Sequence, residues 1–234
     1  MATLTLLSLT QAPVTPVPTP TLRLLRTPSL AATGLIVRTL APTPLPLPIT
    51  PPDCYETPVG GLWCLGWLHN RLLIPIEQVV VQVYLVTTDG TALTTQETPI
   101  ARNILWPGER SPYGVRFEHI PEGTAGPVAV ITSATRAPVP TAPPVEVRDV
   151  RTEQRDSGLH VAGSMGNAGP TPVDQLSVVV TLLDERERVT GFRMVRWPPE
   201  QALDPGDSLP FAVDVIPQGM SATRVEVSAE GRAY

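Results

Sequence analysis

The chain contains no lysine: all 17 basic residues are arginine, set against 22 acidic ones. A net charge of −5 without any basic run leaves no electrostatic footprint for a phosphate backbone, which argues against a nucleic-acid partner. Arginine alone, beside abundant Ala, Pro and Gly, reads as the product of a GC-rich genome rather than as phosphate recognition. Histidine is nearly as scarce. His69, His119 and His160 are scattered, and the two cysteines have no second pair of ligands nearby, so no metal site is expected. No apolar run reaches the roughly 18 residues a spanning helix needs. The best one, Leu30–Val37, is short and is interrupted by Thr33 and Gly34. The start, Met1-Ala-Thr-Leu-Thr-Leu-Leu7, lacks the basic region and small-residue cleavage site of a signal peptide. Glycine-rich phosphate loops are absent, so no cofactor is expected. Ser157, Ser164 and Ser177 have no nucleophile-elbow setting or companion His and Asp, and Asp184-Glu-Arg-Glu187 reads as a solvated hairpin tip. No catalytic residue is expected.

What the chain does have is proline, 29 of them, and a repeat. Residues 1–52 carry runs such as Pro13-Val-Thr-Pro-Val-Pro-Thr-Pro20 and Pro42-Thr-Pro-Leu-Pro-Leu-Pro48, where each proline removes a donor and fixes φ. The segment reads as a disordered Pro/Thr stalk or linker. Beyond it, Gly61–Val86 and Gly158–Leu183 align without a gap at an offset of 97 residues. Gly61/Gly158, Gly66/Gly163, Asn70/Asn167, Pro75/Pro172, Gln78/Gln175, Val81/Val178 and Leu85/Leu182 all match. After a one-residue slip the match returns at Leu105-Trp-Pro-Gly-Glu109 over Leu203-Asp-Pro-Gly-Asp207, and again at Pro112-Tyr113 over Pro210-Phe211. A period near a hundred residues means one small domain used twice, 53–136 and 145–234, joined by the proline-rich linker 137–144. Such a linker is expected to hold the domains apart semi-rigidly and let them melt independently.

Within each copy the apolar period is two, the signature of strands. Leu62, Cys64, Gly66 and Leu68 face inward, as do their equivalents Leu159, Val161, Gly163 and Met165. The next strand turns Val79, Val81, Val83 and Leu85 inward, over Leu176, Val178, Val180 and Leu182. Asp89-Gly90 and the two Pro-Gly turns separate further alternating runs. Capped helical segments are absent, so each copy is an all-β sandwich of six or seven short strands, immunoglobulin-like in class. Cys54 and Cys64 are equidistant from the turn at Val59, which places them opposite each other on antiparallel neighbours and predicts a cross-strand disulfide in an oxidising compartment. A metal pair and two unrelated buried thiols are the competing readings. The matching positions in the second copy are Arg151 and Val161.

These residues, in the order apolar-Gly-x-Val/Leu-x-Asn, Pro-Val/Ile, a long Val-rich strand, Leu-x-Pro-Gly-Asp/Glu and Pro-Phe/Tyr, resemble the small bacterial extracytoplasmic β-sandwich called the FxLYD domain. The motif of that name falls on Val180-Thr-Leu-Leu-Asp184 and on Val83-Tyr-Leu-Val-Thr87; both have Val for Phe, and the first copy has Thr for Asp. The resemblance spans roughly Cys54–Arg136 and Val145–Tyr234, and implies a cell-envelope or extracellular setting without an activity. A stalk followed by a cysteine pair suits an exported protein, so an export signal upstream of Met1 is expected.

The copies differ most on their outward faces. Trp63, Leu65 and Trp67, with Val80 and Tyr84, stand where the second copy has His160, Ala162, Ser164, Ser177 and Thr181. Alternation on adjacent strands would group them as one exposed patch. Three readings follow: a face covered by the partner domain, the stalk or the second sheet; a surface for a protein partner or self-association; and a platform for stacking a glycan, for which only Gln78 and Gln82 supply polar neighbours. The function expected from the whole is a non-catalytic adhesion, scaffold or assembly module. A carbohydrate-binding accessory module of an envelope polysaccharide system is the alternative.

Overall fold

The computed structural model describes residues 47–137, 145–156, 158–219 and 222–233. Residues 1–46 of the stalk and 138–144 of the linker therefore lie outside the described residues. The stalk expected over 1–52 nevertheless ends earlier: Leu47 is buried in the first core, Ile49 bridges to Leu68, and Thr50 O accepts from the Tyr113 hydroxyl, because apolar side chains here find an open place on that sandwich. Thirteen strands and no helix are present among them. In the first copy, β1 (Asp53–Glu56), β2 (Leu62–His69) and β6 (Arg110–Phe117) form one sheet in the order β1-β2-β6. The second sheet has β3 (Ile76–Val86) at its centre, with β4 (Ala92–Pro99) and the two-residue β5 (Ile104–Leu105) on one side and β7 (Gly126–Arg136) on the other. The second copy repeats this: β8 (Val145–Arg155), β9 (Gly158–Asn167) and β12 (Ser208–Val215) pair as β12-β9-β8. Opposite them β10 (Val173–Leu183), β11 (Val189–Arg196) and β13 (Arg224–Ala233) pair as β11-β10-β13. All pairings are antiparallel. The chain is thus all-β, two β-sandwiches of one topology.

Alternation places the cores as expected. Leu62, Cys64, Leu68, Val79, Val81, Val83 and Leu85 are buried in the first core, and Val161, Met165, Leu176, Val178, Val180 and Leu182 in the second. Gly66 and Gly163 sit inside these cores directly across from Tyr113 and Phe211. A Cβ on either glycine would meet the opposing ring, at 2.6 Å from Tyr113 Cζ and 2.8 Å from Phe211 Cζ. The aromatic side chain fills the space that the missing one leaves.

The shared asparagine has a scaffold role. Asn70 Nδ2 donates to Ile74 O and Leu105 O at 2.9 and 2.8 Å, and its Oδ1 accepts from Leu72 N–H at 3.0 Å. Asn167 repeats the pattern with Thr171 O, Leu203 O and Gly169 N–H at 2.7, 3.0 and 2.9 Å. Each asparagine backbone also brackets the Pro-Gly turn, Asn70 N–H to Glu109 O and Gly108 N–H to Asn70 O, with Asn167, Asp207 and Gly206 as counterparts. Gly108 and Gly206 adopt φ of 81° and 88°, and Gln78 and Gln175 share a positive φ at the same bulge. The residues common to both copies therefore either fill the cores, as Val81/Val178 and Leu85/Leu182 do, or close loops and turns.

The Cys54–Cys64 disulfide is present, and the two residues are direct partners in the β1–β2 register. In the second copy a bulge between Arg148 and Arg151 shifts the ladder, so Val161 faces Thr152 instead of Arg151. The copies differ here by one residue of register as well as by the bridge.

Candidate functional site

The expected patch divides at the β2–β3 connection. β2 and β3 belong to different sheets, so Trp63, Leu65 and Trp67 lie on the outer face of β1-β2-β6 while Val80 and Tyr84 lie on the outer face of the opposite sheet. Adjacent strands in sequence formed an inter-sheet crossover rather than a hairpin, and Asn70-Arg-Leu-Leu-Ile-Pro75 carries the chain across. Tyr84 is half-buried, its hydroxyl donating to Gln82 Oε1 on the same strand.

The tryptophan face is not free. Tyr55, Leu65 and Trp67 form a buried cluster with Leu183 and Val189 of the second sandwich, and Trp63 and Phe192 pack against it. Trp67 is only 7% exposed and Leu65 2%. The outer face of β1-β2-β6 meets the outer face of β11-β10-β13, whose central strand accordingly buries Ser177, Val179, Thr181 and Leu183. Of the three readings of this face, coverage by the partner domain is the one realised, and the domains are docked rather than held apart.

Polar groups fix the docking. The Trp67 indole N–H donates to Glu187 O at 3.2 Å, and the Tyr55 hydroxyl to Val189 O at 3.0 Å. Burial, reinforced by the nearby Asp53 carboxylate, pushes the Tyr55 hydroxyl well above its ordinary pKa, so it remains a donor. The Arg110 guanidinium lies over the Trp67 ring, 4.3 Å from its centroid, and pairs with Glu226 and, at 3.6 Å, with Glu187. Along the same seam Glu230, 9% exposed, accepts from Asn103 N–H, Asn103 Nδ2 and Ile104 N–H of the first sandwich and from Ser177 Oγ of its own. Arg102 reaches from Glu109 at 2.9 Å toward Glu230 at 3.7 Å, and Glu77 pairs with Arg232 at 2.7 Å. Charges of opposite sign thus face one another across the whole junction.

Asp184, expected at a solvated tip, is buried. It accepts from the backbone N–H of Arg186 and Arg188 and from the Arg188 side chain, which also lies 3.8 Å from Asp53 across the junction. Burial pushes its carboxyl up, but the Arg188 hydrogen bonds and the two backbone donors outweigh this and hold it below the usual range. It caps the hairpin that carries Leu183 and Val189 into the junction. Two close approaches complete the fit: a Cβ on Gly219 would meet the Tyr55 ring at 2.1 Å, and one on Gly114 the Phe192 ring at 3.0 Å.

The second half of the junction was readable in part. Val179 and Phe192 stand where the first copy has Gln82 and Thr95, two outward positions that are apolar only in the second copy, although Ser177 and Thr181 run the other way against Val80 and Tyr84. The ionic seam had no such signal, since Arg110 and Glu226 lie far apart in sequence. On the second sandwich's other outer face, Asp214 accepts from His160 and Arg155 at 2.7 and 3.0 Å, and the His160 contact draws its carboxyl down. This contact is exposed. Among the described residues no group of three His, Cys, Asp or Glu is placed to hold a metal ion, and no helix is long and apolar enough to cross a membrane.

No family model and no curated relative matches the chain. Among solved structures it is similar to a transglutaminase of red sea bream, at 11% identity over 79% of this chain and 29% of that one, TM-score 0.27. A glycosyl hydrolase family 2 member of Bacteroides cellulosilyticus matches at 11% identity over 74% and 28%, TM-score 0.26. The β-glucuronidase of Bacteroides uniformis matches at 12% over 76% and 25%, TM-score 0.28. The chain spans under a third of each of these proteins, and likenesses at these scores carry no argument about what it does.

Proposed function

We propose that the chain is a non-catalytic scaffold or assembly module of the cell surface or extracellular space, built as a docked pair of FxLYD-like sandwiches. The observation that carries this reading is the junction itself. The aromatic face that would have served a ligand is used to lock the second domain in place, with Trp67, Tyr55 and Glu230 hydrogen-bonded across that contact. Strongly held side chains such as Asp184 and Arg110 make their bonds to the hairpin and the junction. The disulfide suits an oxidising compartment. A rigid two-domain body suits a component that sets distance and orientation between partners.

Two measurements test this. Small-angle scattering of the secreted chain should fit the docked pair, with no population of separated domains. A glycan array should return no ligand. A glycan retained on the array and lost on Trp63→Ala, whose ring is half-buried at the margin of the junction, would overturn the reading in favour of a carbohydrate-binding module.

A further inference from the structure

The edges of the four sheets are unequally guarded. A strand edge offers unpaired N–H and C=O groups to any passing chain, and charge or interior proline ordinarily blocks it. β6 carries Arg110, Pro112 and Arg116; β7 carries Pro127 and a register shift near Thr132; β8 carries Arg148, Arg151 and Arg155. β11 carries Arg193 and Arg196, β12 carries Pro210, and β13 carries Arg224 and Arg232. β1 is four residues long. β4, Ala92-Leu-Thr-Thr-Gln-Glu-Thr-Pro99, has no arginine and no interior proline.

β4 is also largely exposed. On the side of Val83 and Val81, Gln96 is exposed and Thr98 is half-buried, so the other sheet covers this strand only in part. The equivalent β11 buries Val189, Thr190 and Gly191. Thr95 Oγ1 donates to Val83 O, Thr98 Oγ1 to Pro99 O and Thr132 Oγ1 to Glu97, bonds that tie the strand to its own sheet or to itself. Its far edge, Thr94–Thr98, follows the bulge at Leu93 in regular register.

Resting on the assembly reading above, we propose that β4 is the assembly edge. Two copies of this chain pair antiparallel along Thr94–Thr98 about a two-fold axis through Gln96. The occupant is argued from the strand's self-complementarity. About that axis Gln96 faces Gln96, whose amides can each donate and accept; Thr94 faces Thr98; and Glu97, the only charge, faces Thr95 and never itself. The pairing joins two β7-β3-β4 layers into one continuous six-stranded sheet with an isologous interface.

Sedimentation velocity of the full chain from micromolar to submillimolar concentration tests this, read beside Gln96→Arg, which sets two guanidinium groups against each other on the axis. The expected result is a monomer–dimer equilibrium weakened about tenfold or more in Gln96→Arg at an unchanged melting temperature. Amide exchange in Thr94–Thr98 of the wild type should slow as concentration rises, which carries the test should the variant fold poorly. A wild type that stays monomeric throughout, a dimer equally strong in a folded Gln96→Arg, or β4 exchange independent of concentration overturns the proposal. None of these touches the scaffold reading, which the glycan array and scattering decide.

Discussion

Truncating Trp67 distinguishes a docked junction from an open surface. An exposed tryptophan on a sheet could be lost at little cost to folding; this one is covered, its ring beneath Arg110 and its N–H on Glu187 O. Burying 150–250 Å² of aromatic surface at about 25 cal/mol per Å² sets a ceiling of roughly 4–6 kcal/mol. Core truncations of this kind measure about 3–5 kcal/mol, with the cation–π contact near 0.5–1 and the hydrogen bond about 1 within that range. Because the domains can separate instead of leaving a cavity, the loss is capped by the docking free energy, and about 2–4 kcal/mol is the expected outcome for Trp67→Ala. Urea unfolding followed by far-ultraviolet circular dichroism and by tryptophan fluorescence should show one transition in the wild type. Trp67→Ala should split it, with the two sandwiches unfolding separately. A double-mutant cycle with Val189→Ala should return a coupling of about 0.5–2 kcal/mol, since the two side chains belong to one cluster on different domains. Unfolding curves superimposable on the wild type together with a coupling near zero would refute the docked geometry.

Asn167→Ala removes two donors and one acceptor from a loop whose partners have no substitute, and should destabilise the second sandwich by about 2–3 kcal/mol in chemical denaturation, with Asn70→Ala doing the same to the first. Gly219→Ala should act on docking alone, since its Cβ would strike the Tyr55 ring: the single unfolding transition should divide while the fragment 145–234 carrying the same change keeps its own midpoint. Reducing Cys54–Cys64 opens a short loop and should cost roughly 2–3 kcal/mol in the chain-entropy account, read as a lower melting temperature in reductant. Asp184 is held below its ordinary value in the folded state, so its contribution is complete above the unfolded carboxylate pKa near 3.9 and is lost as pH falls through the lower folded value. Melting temperature should therefore fall more steeply below about pH 4 in the wild type than in Asp184→Asn, which starts lower and has less to lose.

Much of the architecture was legible because its causes are local. Side chains alternate along a strand whatever surrounds it, so Leu62, Cys64 and Leu68 were separable from Trp63, Leu65 and Trp67 without a structure. The disulfide register followed from the distance of each cysteine to one turn. The repeat supplied a second measurement of every inward position, and the shared Asn70 and Asn167 proved to be loop closures, as residues common to two copies of a scaffold should be. What alternation does not encode is which strand of a sandwich lies in which sheet, or what lies above an outer face. β2 and β3 are neighbours in sequence, yet a six-residue crossing sends them to opposite sheets and separates Tyr84 from Trp67. An outward tryptophan says that its face favours a cover; the cover came from residues about 120 positions away, because Glu187 and Val189 meet Trp67 and Tyr55 only after both sandwiches have formed. Burial of apolar area is non-directional and names no partner, so docking was decided by shape and by the ionic seam of Arg110, Glu226, Arg102 and Glu230, which exists only in three dimensions.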